Sequence, residues 1–212
     1  MEDTFAFFDF DGTLTNKDTL TGFTKFLMGD RYWLTFFIFL PIFITYKLNI
    51  INQNRTKKLY LHFFLRQYSE KTLIAAGEKY ANNIIDTLIN PNILKRLDWH
   101  KENKHSVYII TASLKYWIEP WCKKNNIKLI CTNIEILNGK VTGNLLGKNC
   151  FGEEKVNQIQ RLIKTAKLTS IFAYGDSIGD YPMLTLADYS YDCSNNTNSP
   201  YNLAKKESWY AE

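Results

Sequence analysis

Short apolar runs that end in polar turns alternate with helical patterns along this chain. The first run, Thr4–Phe8, is followed directly by Asp9. Alternation of this kind is typical of an α/β fold in which a parallel sheet carries helices on both faces. Ligands of such sheets bind at the carboxyl ends of the strands, so the residues after each run are the first candidates for a site. The other predicted strands are Val107–Thr111, Ile127–Cys131 and Ser170–Tyr174, and the predicted helices are Pro91–Asn103, Leu114–Asn126 and Glu153–Thr165.

Residues 16–80 interrupt this alternation, because they contain helical patterns and no strand pattern. We predict that they form a helical cap inserted into an α/β core made of residues 1–15 and 81–212. The cap contains ten Lys/Arg and four Asp/Glu, a net charge of +6, whereas the rest of the chain carries −1. This excess indicates an anionic partner, either a phosphate-bearing substrate or an acidic membrane, with a solvated basic face as the alternative. The chain contains no nucleic-acid-binding motif, so we expect no nucleic-acid partner.

The first strand ends in two carboxylates, Asp9 and Asp11, separated by one residue. Because they follow a strand, both can turn toward one site at the edge of the sheet. A covalent phosphatase needs this pair: one ionised aspartate as nucleophile and metal ligand, and one protonated aspartate for the leaving alkoxide. Gly12 allows the chain to turn sharply at this point. An acidic turn on the surface, without chemistry, is the alternative interpretation.

Three further segments place polar groups at predicted strand ends or helix starts. Thr111 ends the second strand, and the following Ala112 and Ser113 can hold phosphate oxygens through backbone N–H groups and a hydroxyl, although helix capping explains the two hydroxyls equally well. Lys155 stands in the first turn of a helix, where a cation opposes the helix dipole and so serves another purpose; Lys148 is the rival lysine. The fourth strand ends in a second acidic turn with Asp176 and Asp180. Asp9 and Asp176 together supply the carboxylates that Mg²⁺ prefers.

This set of motifs resembles the haloacid dehalogenase superfamily, in the branch of phosphoserine-phosphatase-like enzymes (subfamily IB), over essentially the whole chain. The resemblance implies a Rossmann-like core with a helical cap and a Mg²⁺-dependent phosphatase that forms an aspartyl-phosphate. It implies that Asp9 is the nucleophile and Asp11 the general acid and base. By the same resemblance Thr111, Ala112 and Lys155 bind the phosphoryl group, Asp9, Asp176 and the carbonyl of Asp11 ligate Mg²⁺, and Asp180 orients a metal-bound water.

Within that branch, the motifs most resemble those of bacterial phosphatidylglycerophosphatase C and its relatives. The shared features include Leu40-Pro41 in an early apolar run and the spacing from Cys150 to Lys155. Gly179 stands where phosphoserine phosphatases usually have Asn, which weakens the prediction of an amino-acid phosphate as substrate. Asp18 occupies the place of their amine-reading acid, and Arg55, with Lys57 and Lys58, is a candidate for reading a head group; surface solvation is the alternative for these three cations.

The segment Tyr32–Tyr46 carries no charge and lies between Arg31 and Lys47. Its fifteen residues would span about 22 Å as a helix, short of the roughly 30 Å hydrocarbon layer, and we expect Pro41 to break that helix. Because a helix that is apolar on all sides must be covered on all sides, we predict that this segment contacts an anionic membrane. A dimer interface and an ordinary cap core are the alternatives.

The combined prediction is a cytoplasmic phosphomonoesterase, peripheral on the cytoplasmic face of the inner membrane, that acts on a lipid phosphate such as phosphatidylglycerol phosphate. Four cysteines without metal-ligand spacing and an acidic start, Met1-Glu2-Asp3, agree with a cytoplasmic chain. The alternative enzyme is a soluble phosphatase of phosphoserine or another small metabolite. The alternative from another class is a membrane-associated scaffold without catalysis. The oligomeric state is left open.

Overall fold

A computed structural model describes residues 3–66, 68–164 and 168–194. Its centre is a six-stranded sheet with the order β4-β3-β2-β1-β5-β6. All neighbouring strands pair in parallel except β3 and β4, which form an antiparallel hairpin that turns at Asn138-Gly139. The predicted α/β fold with a mostly parallel sheet is confirmed. The strands are β1 Asp3–Phe8, β2 Ser106–Leu114, β3 Lys128–Leu137, β4 Lys140–Leu146, β5 Leu168–Gly175 and β6 Tyr189–Asp192.

Helices cover both faces of the sheet, as predicted. Successive residues of β1 point to opposite faces, so each face carries apolar side chains that a helix must cover. Phe8 packs in a core with Leu97 and Trp117, whereas Phe7 packs in a second core with Ile159. The helices of the α/β core are α5 Asp86–Leu88, α6 Pro91–Glu102, α7 Lys115–Lys124, α8 Glu153–Ile163 and α9 Tyr181–Leu186, and a π-helical turn, Ala81–Ile85, precedes α5.

The second strand is longer than predicted. It continues through Ala112 and Ser113 to Leu114, and α7 begins only at Lys115. The prediction that Ala112 and Ser113 start a helix was therefore wrong. The pairing with β3 shifts between Thr111 and Leu114, as at a β-bulge. The backbone stays extended there, but the bulge changes the direction in which its side chains point.

Four helices lie between β1 and the π-helical turn and form the predicted insertion: α1 Thr19–Met28, α2 Arg31–Lys47, α3 Gln53–Leu65 and α4 Glu70–Tyr80. Side-chain oxygens of polar residues cap three of them: Asp18 caps α1, Asn52 caps α3 and Ser69 caps α4. Gly77 of α4 lies so close to the backbone of Tyr116 in α7 that a Cβ would overlap it. This contact fixes the insertion against the core.

Helix α2 is continuous, which corrects the prediction that Pro41 breaks the apolar segment. Proline removes one backbone donor, the partner of the carbonyl four residues earlier, at Phe37. Because Pro41 and Phe37 are both exposed, water can bond to that carbonyl and the helix tolerates the loss. Among the described helices, none is long and apolar enough to cross a membrane.

Candidate active site

Asp9 lies at the carboxyl end of β1 and is almost fully buried. Its backbone N–H donates to the carbonyl of Tyr174 in β5 at 2.9 Å, which continues the pairing of β1 with β5 by one residue. Gly12, three residues on, has a φ of +86°, and a Cβ there would overlap the carboxylate of Asp176. The turn after β1 therefore requires glycine, both for its backbone angle and for the close approach of the second acidic turn.

Lys155 joins the two acidic turns. It enters from the first turn of α8, and its Nζ lies 2.6 Å from Oδ1 of Asp9 and 2.6 Å from Oδ1 of Asp180. Burial lowers the pKa of this lysine, but the two carboxylates outweigh burial and hold its pKa above the ordinary value. The rival Lys148 is exposed, with Glu154 at 3.9 Å as its ion-pair partner. The structure thus places Lys155, and not Lys148, beside the predicted nucleophile.

Asp9, Asp176 and Asp180 form an acidic cluster in which one carboxylate oxygen of each lies within 4.8 Å of the others. The hydroxyl of Thr13 donates to Asp176 at 2.8 Å, and Ser177 donates to Oδ2 of Asp180 from its N–H at 3.0 Å and its hydroxyl at 2.8 Å. Burial and the charge of Asp180 raise the pKa of Asp9 despite the opposing effect of Lys155, and burial raises the pKa of Asp176 to about 6. Crowded carboxylates with raised pKa values fit a divalent cation with oxygen ligands.

The oxygens of Asp180 are already engaged by Lys155 and Ser177, whereas Asp9 and Asp176 each give one oxygen to a single side-chain donor. The predicted roles, in which Asp9 and Asp176 ligate Mg²⁺ and Asp180 orients a metal-bound water, stay predictions that this arrangement allows. Mg²⁺ bound there would neutralise the carboxylates and the negative charge of a phosphate group.

Asp11 faces the same site from the other side of the turn. Its Oδ1 accepts from the N–H of Thr19 at 2.6 Å, and its Oδ2 accepts from the hydroxyl of Ser113. Burial, followed by the negative charge of Asp18, raises its pKa to about 6. Asp11 can therefore carry a proton near neutral pH, as a general acid must. Ser113 reaches it because of the bulge in β2, a contact that the sequence did not reveal.

Thr111 and Ala112, in the last part of β2, line the same cavity as Asp9 and Asp11. Thr111 is fully buried, and its hydroxyl oxygen accepts from the N–H of Ser113 at 3.0 Å. The carbonyl of Ala112 accepts from the ammonium of Lys57 in the cap. Both residues line the same cavity as Asp9, and their phosphate-binding role stays a prediction.

The cavity above these residues measures about 460 Å³ and is shared by core and cap. One stripe of α2 forms an apolar wall, because aromatic side chains recur along it at helical spacing. Those residues are Tyr32, Phe36, Phe39, Phe43 and Tyr46. Sequence reasoning missed this wall, since a segment that is apolar throughout gives no sign of which side faces inward.

The residues predicted to contact the substrate, Asp18 and Arg55, differ in whether they line the cavity. Asp18 lines the cavity, and its carboxylate also accepts from the hydroxyl of Thr21 at 2.7 Å. Arg55 is exposed and lies outside the residues that line the cavity, whereas Lys57, two positions later, lines it. Lys57 lies four residues before Leu61, which is buried, and Arg55 is off that stripe. Lys58, three residues before Leu61, is exposed and does not line the cavity, so helical spacing alone does not identify Lys57.

Gly179, the departure from the phosphoserine-phosphatase pattern, has a steric explanation. A Cβ at this position would overlap the ring of Phe151, which lines the cavity. An asparagine would have to displace that ring. The aromatic side chain thus occupies the space that a polar side chain at residue 179 would need.

Comparisons with known proteins agree with this fold. Protein CicA of Caulobacter vibrioides is 28% identical over 184 residues, which cover 85% of this chain and 82% of the relative. A crystal structure of a protein of unknown function from Bordetella pertussis Tohama I has a TM-score of 0.78 at 20% identity, covering 91% of this chain and 90% of that one. A phospho-aspartyl intermediate analogue of phosphoserine phosphatase has a TM-score of 0.67 at 16% identity, covering 92% and 88%.

A comparison with protein-family profiles assigns the chain to a family, which these likenesses alone do not. The sequence matches the profile of the haloacid dehalogenase-like hydrolases over residues 6–185, which include both acidic turns, β2 and Lys155. This match confirms the predicted family. With Asp9 and Asp11 side by side at the end of the first strand, the chain belongs to the haloacid dehalogenase-like hydrolase family.

Proposed function

We propose that this enzyme hydrolyses the phosphomonoester of an amphiphilic substrate, a lipid phosphate, at the cytoplasmic face of a membrane. Asp9 attacks phosphorus, the bond from phosphorus to the ester oxygen breaks, and Asp11 gives its proton to the leaving alkoxide. Asp11 then takes a proton from water, which attacks the aspartyl-phosphate and releases inorganic phosphate and free Asp9. Lys155 holds Asp9 in place and, with Thr111 and the backbone at Ala112, binds the phosphoryl oxygens.

The apolar wall of α2 is the observation that most supports a lipid phosphate as the substrate. A phosphate ester bound at Asp9 extends its leaving group into a cavity whose cap side is lined by five aromatic side chains of one helix. Contact with apolar groups contributes about 25 cal/mol for each Å² removed from water. A hydrocarbon-bearing substrate gains from this wall, whereas a small polar metabolite leaves it unused.

The opposite face of α2 supports a membrane as the place of action. Leu34, Phe37 and Ile38 are 69%, 64% and 59% exposed, and Trp33 and Ile44 extend the same apolar face. Single exposed apolar residues are ordinary, but a contiguous apolar face marks a contact surface. Basic side chains flank it, and each contributes about 1 kcal/mol of attraction to anionic lipid. They are Lys25, Arg31 and Lys47.

The substrate comparison tests this proposal. Phosphate release by the wild-type enzyme is measured with Mg²⁺ on phosphatidylglycerol phosphate in anionic vesicles, on phosphoserine and on an aryl phosphate. We expect the highest kcat/KM on the lipid, together with sedimentation of the protein with anionic vesicles that weakens at 1 M salt, where the screening length falls to about 3 Å. Phosphoserine as the best substrate, or no vesicle binding at low salt, would refute the lipid assignment.

A soluble phosphatase of small metabolites is the second candidate. Asp18 favours it, because a carboxylate that lines the cavity can bind the ammonium group of an amino-acid phosphate. The likeness to a phosphoserine phosphatase structure agrees with this alternative in fold. The same substrate comparison separates the candidates, since Asp18→Asn would then raise KM for phosphoserine but not for the aryl phosphate.

A further inference from the structure

The sequence makes Ser113 a candidate for binding phosphate, but the structure engages both of its donors elsewhere. Its N–H donates to the hydroxyl oxygen of Thr111 at 3.0 Å, and its hydroxyl donates to Oδ2 of Asp11. The side chain is buried and lines the active-site cavity beside Asp11. The hydrogen of this hydroxyl is therefore directed to the proposed general acid and is not available to a phosphate oxygen.

The other oxygen of Asp11 is held by Thr19, the first residue of α1 in the cap. The backbone N–H of Thr19 donates to Oδ1 at 2.6 Å, and a backbone N–H cannot accept a hydrogen bond. The hydroxyl oxygen of Thr19 accepts from Nε1 of Trp117 at 2.8 Å, which fixes this residue against α7. Because the protonated oxygen of a carboxylic acid is the poorer acceptor, the bond from Thr19 keeps Oδ1 as the unprotonated oxygen.

The proton that Asp11 exchanges in the proposed reaction therefore belongs on Oδ2. A hydroxyl suits this position because it is both donor and acceptor. It accepts from Oδ2 while that oxygen carries the proton, and it donates to Oδ2 once the proton has left. Ser113 thus bonds to Asp11 before and after proton transfer, so the carboxyl group keeps one orientation in both states.

We infer that Ser113 is a positioning residue for the general acid and fixes Oδ2 of Asp11 as the oxygen that gives and takes the proton. This inference rests on the proposed phosphomonoesterase function and adds a residue to its mechanism. As the bond from phosphorus to the ester oxygen breaks, its electron pair stays on that oxygen, and the proton on Oδ2 moves to it. In the second step Oδ2 takes a proton from the attacking water. Ser113 keeps its own proton in both steps.

A comparison of two soluble esters tests the inference. With Mg²⁺, kcat/KM is measured on n-propyl phosphate, whose leaving alkoxide needs a proton, and on p-nitrophenyl phosphate, whose leaving phenolate needs it far less. Ser113→Ala should lower kcat/KM on the alkyl ester by roughly 10- to 100-fold, the effect of one hydrogen bond to a charged group, and leave it nearly unchanged on the aryl ester. Ser113→Thr keeps the hydroxyl and should retain most of the activity on both.

A double-mutant cycle separates action through Asp11 from a direct contact with phosphate. In an Asp11→Asn background, Ser113→Ala should have no further effect on the alkyl ester, because the proton that Ser113 positions is already absent. The inhibition constant of inorganic phosphate should stay at the wild-type value in Ser113→Ala. Ser106→Ala is the matched control, since it removes a partly buried serine hydroxyl at the start of the same strand, and it should match the wild type throughout.

Three outcomes would overturn the inference. An equal loss on both esters in Ser113→Ala would make its hydroxyl a structural contact only. A raised inhibition constant for phosphate, with additive losses in the cycle, would return Ser113 to phosphate binding. Unchanged kcat/KM on the alkyl ester would show that Asp11 needs no partner at Oδ2. Both esters are soluble, so failure of the lipid assignment leaves these results readable, whereas a wild-type enzyme inactive on both would refute the proposed function and this inference with it.

Discussion

The catalytic edge of the sheet and the cap helix α2 border one cavity but are built in opposite ways. At the edge, individual polar atoms have defined partners, as when Lys155 bridges Asp9 and Asp180 at 2.6 Å. Along α2, both faces are apolar, and only their surroundings distinguish them: one lines the cavity and the other meets solvent. The function of the edge therefore depends on the positions of single atoms, whereas the function of α2 depends on the area of its apolar surface. Substitutions should be severe and specific at the edge, and graded at α2.

The largest effect is expected at Asp9. Asp9→Asn removes the nucleophile and one candidate metal ligand together, so hydrolysis of an aryl phosphate with Mg²⁺ should fall to background. Asp98→Asn, an exposed carboxylate on α6, should retain full activity and serves as the control. Retention of more than a few per cent of the activity in Asp9→Asn would remove this residue from the mechanism.

A smaller loss is expected at Asp11. Asn retains a side-chain oxygen for the N–H of Thr19, which now donates to Oδ1 at 2.6 Å, so the local fold should persist. Without a proton for the leaving oxygen, turnover should slow by about 10²–10⁴. The loss should be smaller for an aryl phosphate with a good leaving group than for an alkyl phosphate. Equal losses on both esters would argue against the acid role.

Gly12→Ala tests the close approach of the two acidic turns. The added Cβ would overlap the carboxylate of Asp176, so half-maximal activity should require roughly 10- to 100-fold more Mg²⁺. Gly139→Ala is matched to it, because Gly139 also has a positive φ, +74°, but has open space where a Cβ would stand. That control should lose a little stability and keep the wild-type Mg²⁺ dependence. Identical Mg²⁺ titrations for the two variants would show that the approach at Gly12 is unimportant.

The smallest expected effect is a shift in the pH dependence of activity when Asp18 is changed. Asp11 must be protonated to act as the acid, and with a pKa of about 6 its activity should decline as pH rises above that value. The negative charge of Asp18 contributes to raising this pKa. Asp18→Asn removes that charge, lowers the pKa of Asp11 and should move the alkaline limb of the kcat/KM profile to lower pH. A shift to higher pH, measured on an aryl phosphate, would contradict the assigned coupling.

The catalytic edge was largely predictable from the sequence because its chemistry is tied to strand ends. Asp9, Thr111 and Asp176 each follow or end an apolar run, and parallel strands bring such positions together. The contact between Ser113 and Asp11 was not predictable, since it depends on a bulge set by pairing with β3. The short strand β6 was also missed, because four residues at the sheet edge give too brief a pattern.

The cap was predictable only as a helical insertion. The continuity of α2 through Pro41 depends on which side of the helix the proline occupies, and a uniformly apolar segment does not encode that side. The same ambiguity hid the aromatic wall. Lys57 and Arg55 looked equivalent by charge, and only the buried stripe of α3 distinguishes the lysine that lines the cavity from the exposed arginine.

The ratio of lipid to soluble activity in a variant of the exposed face tests the central claim most directly. Serine replaces Leu34, Phe37 and Ile38, which are exposed and do not line the cavity. We expect wild-type kcat/KM on an aryl phosphate. On a lipid phosphate in anionic vesicles, kcat/KM should fall at least about tenfold, since each apolar side chain removed from the membrane contact is worth about 1.5–3 kcal/mol. An unchanged ratio of the two activities would contradict the claim that α2 brings this active site to a membrane.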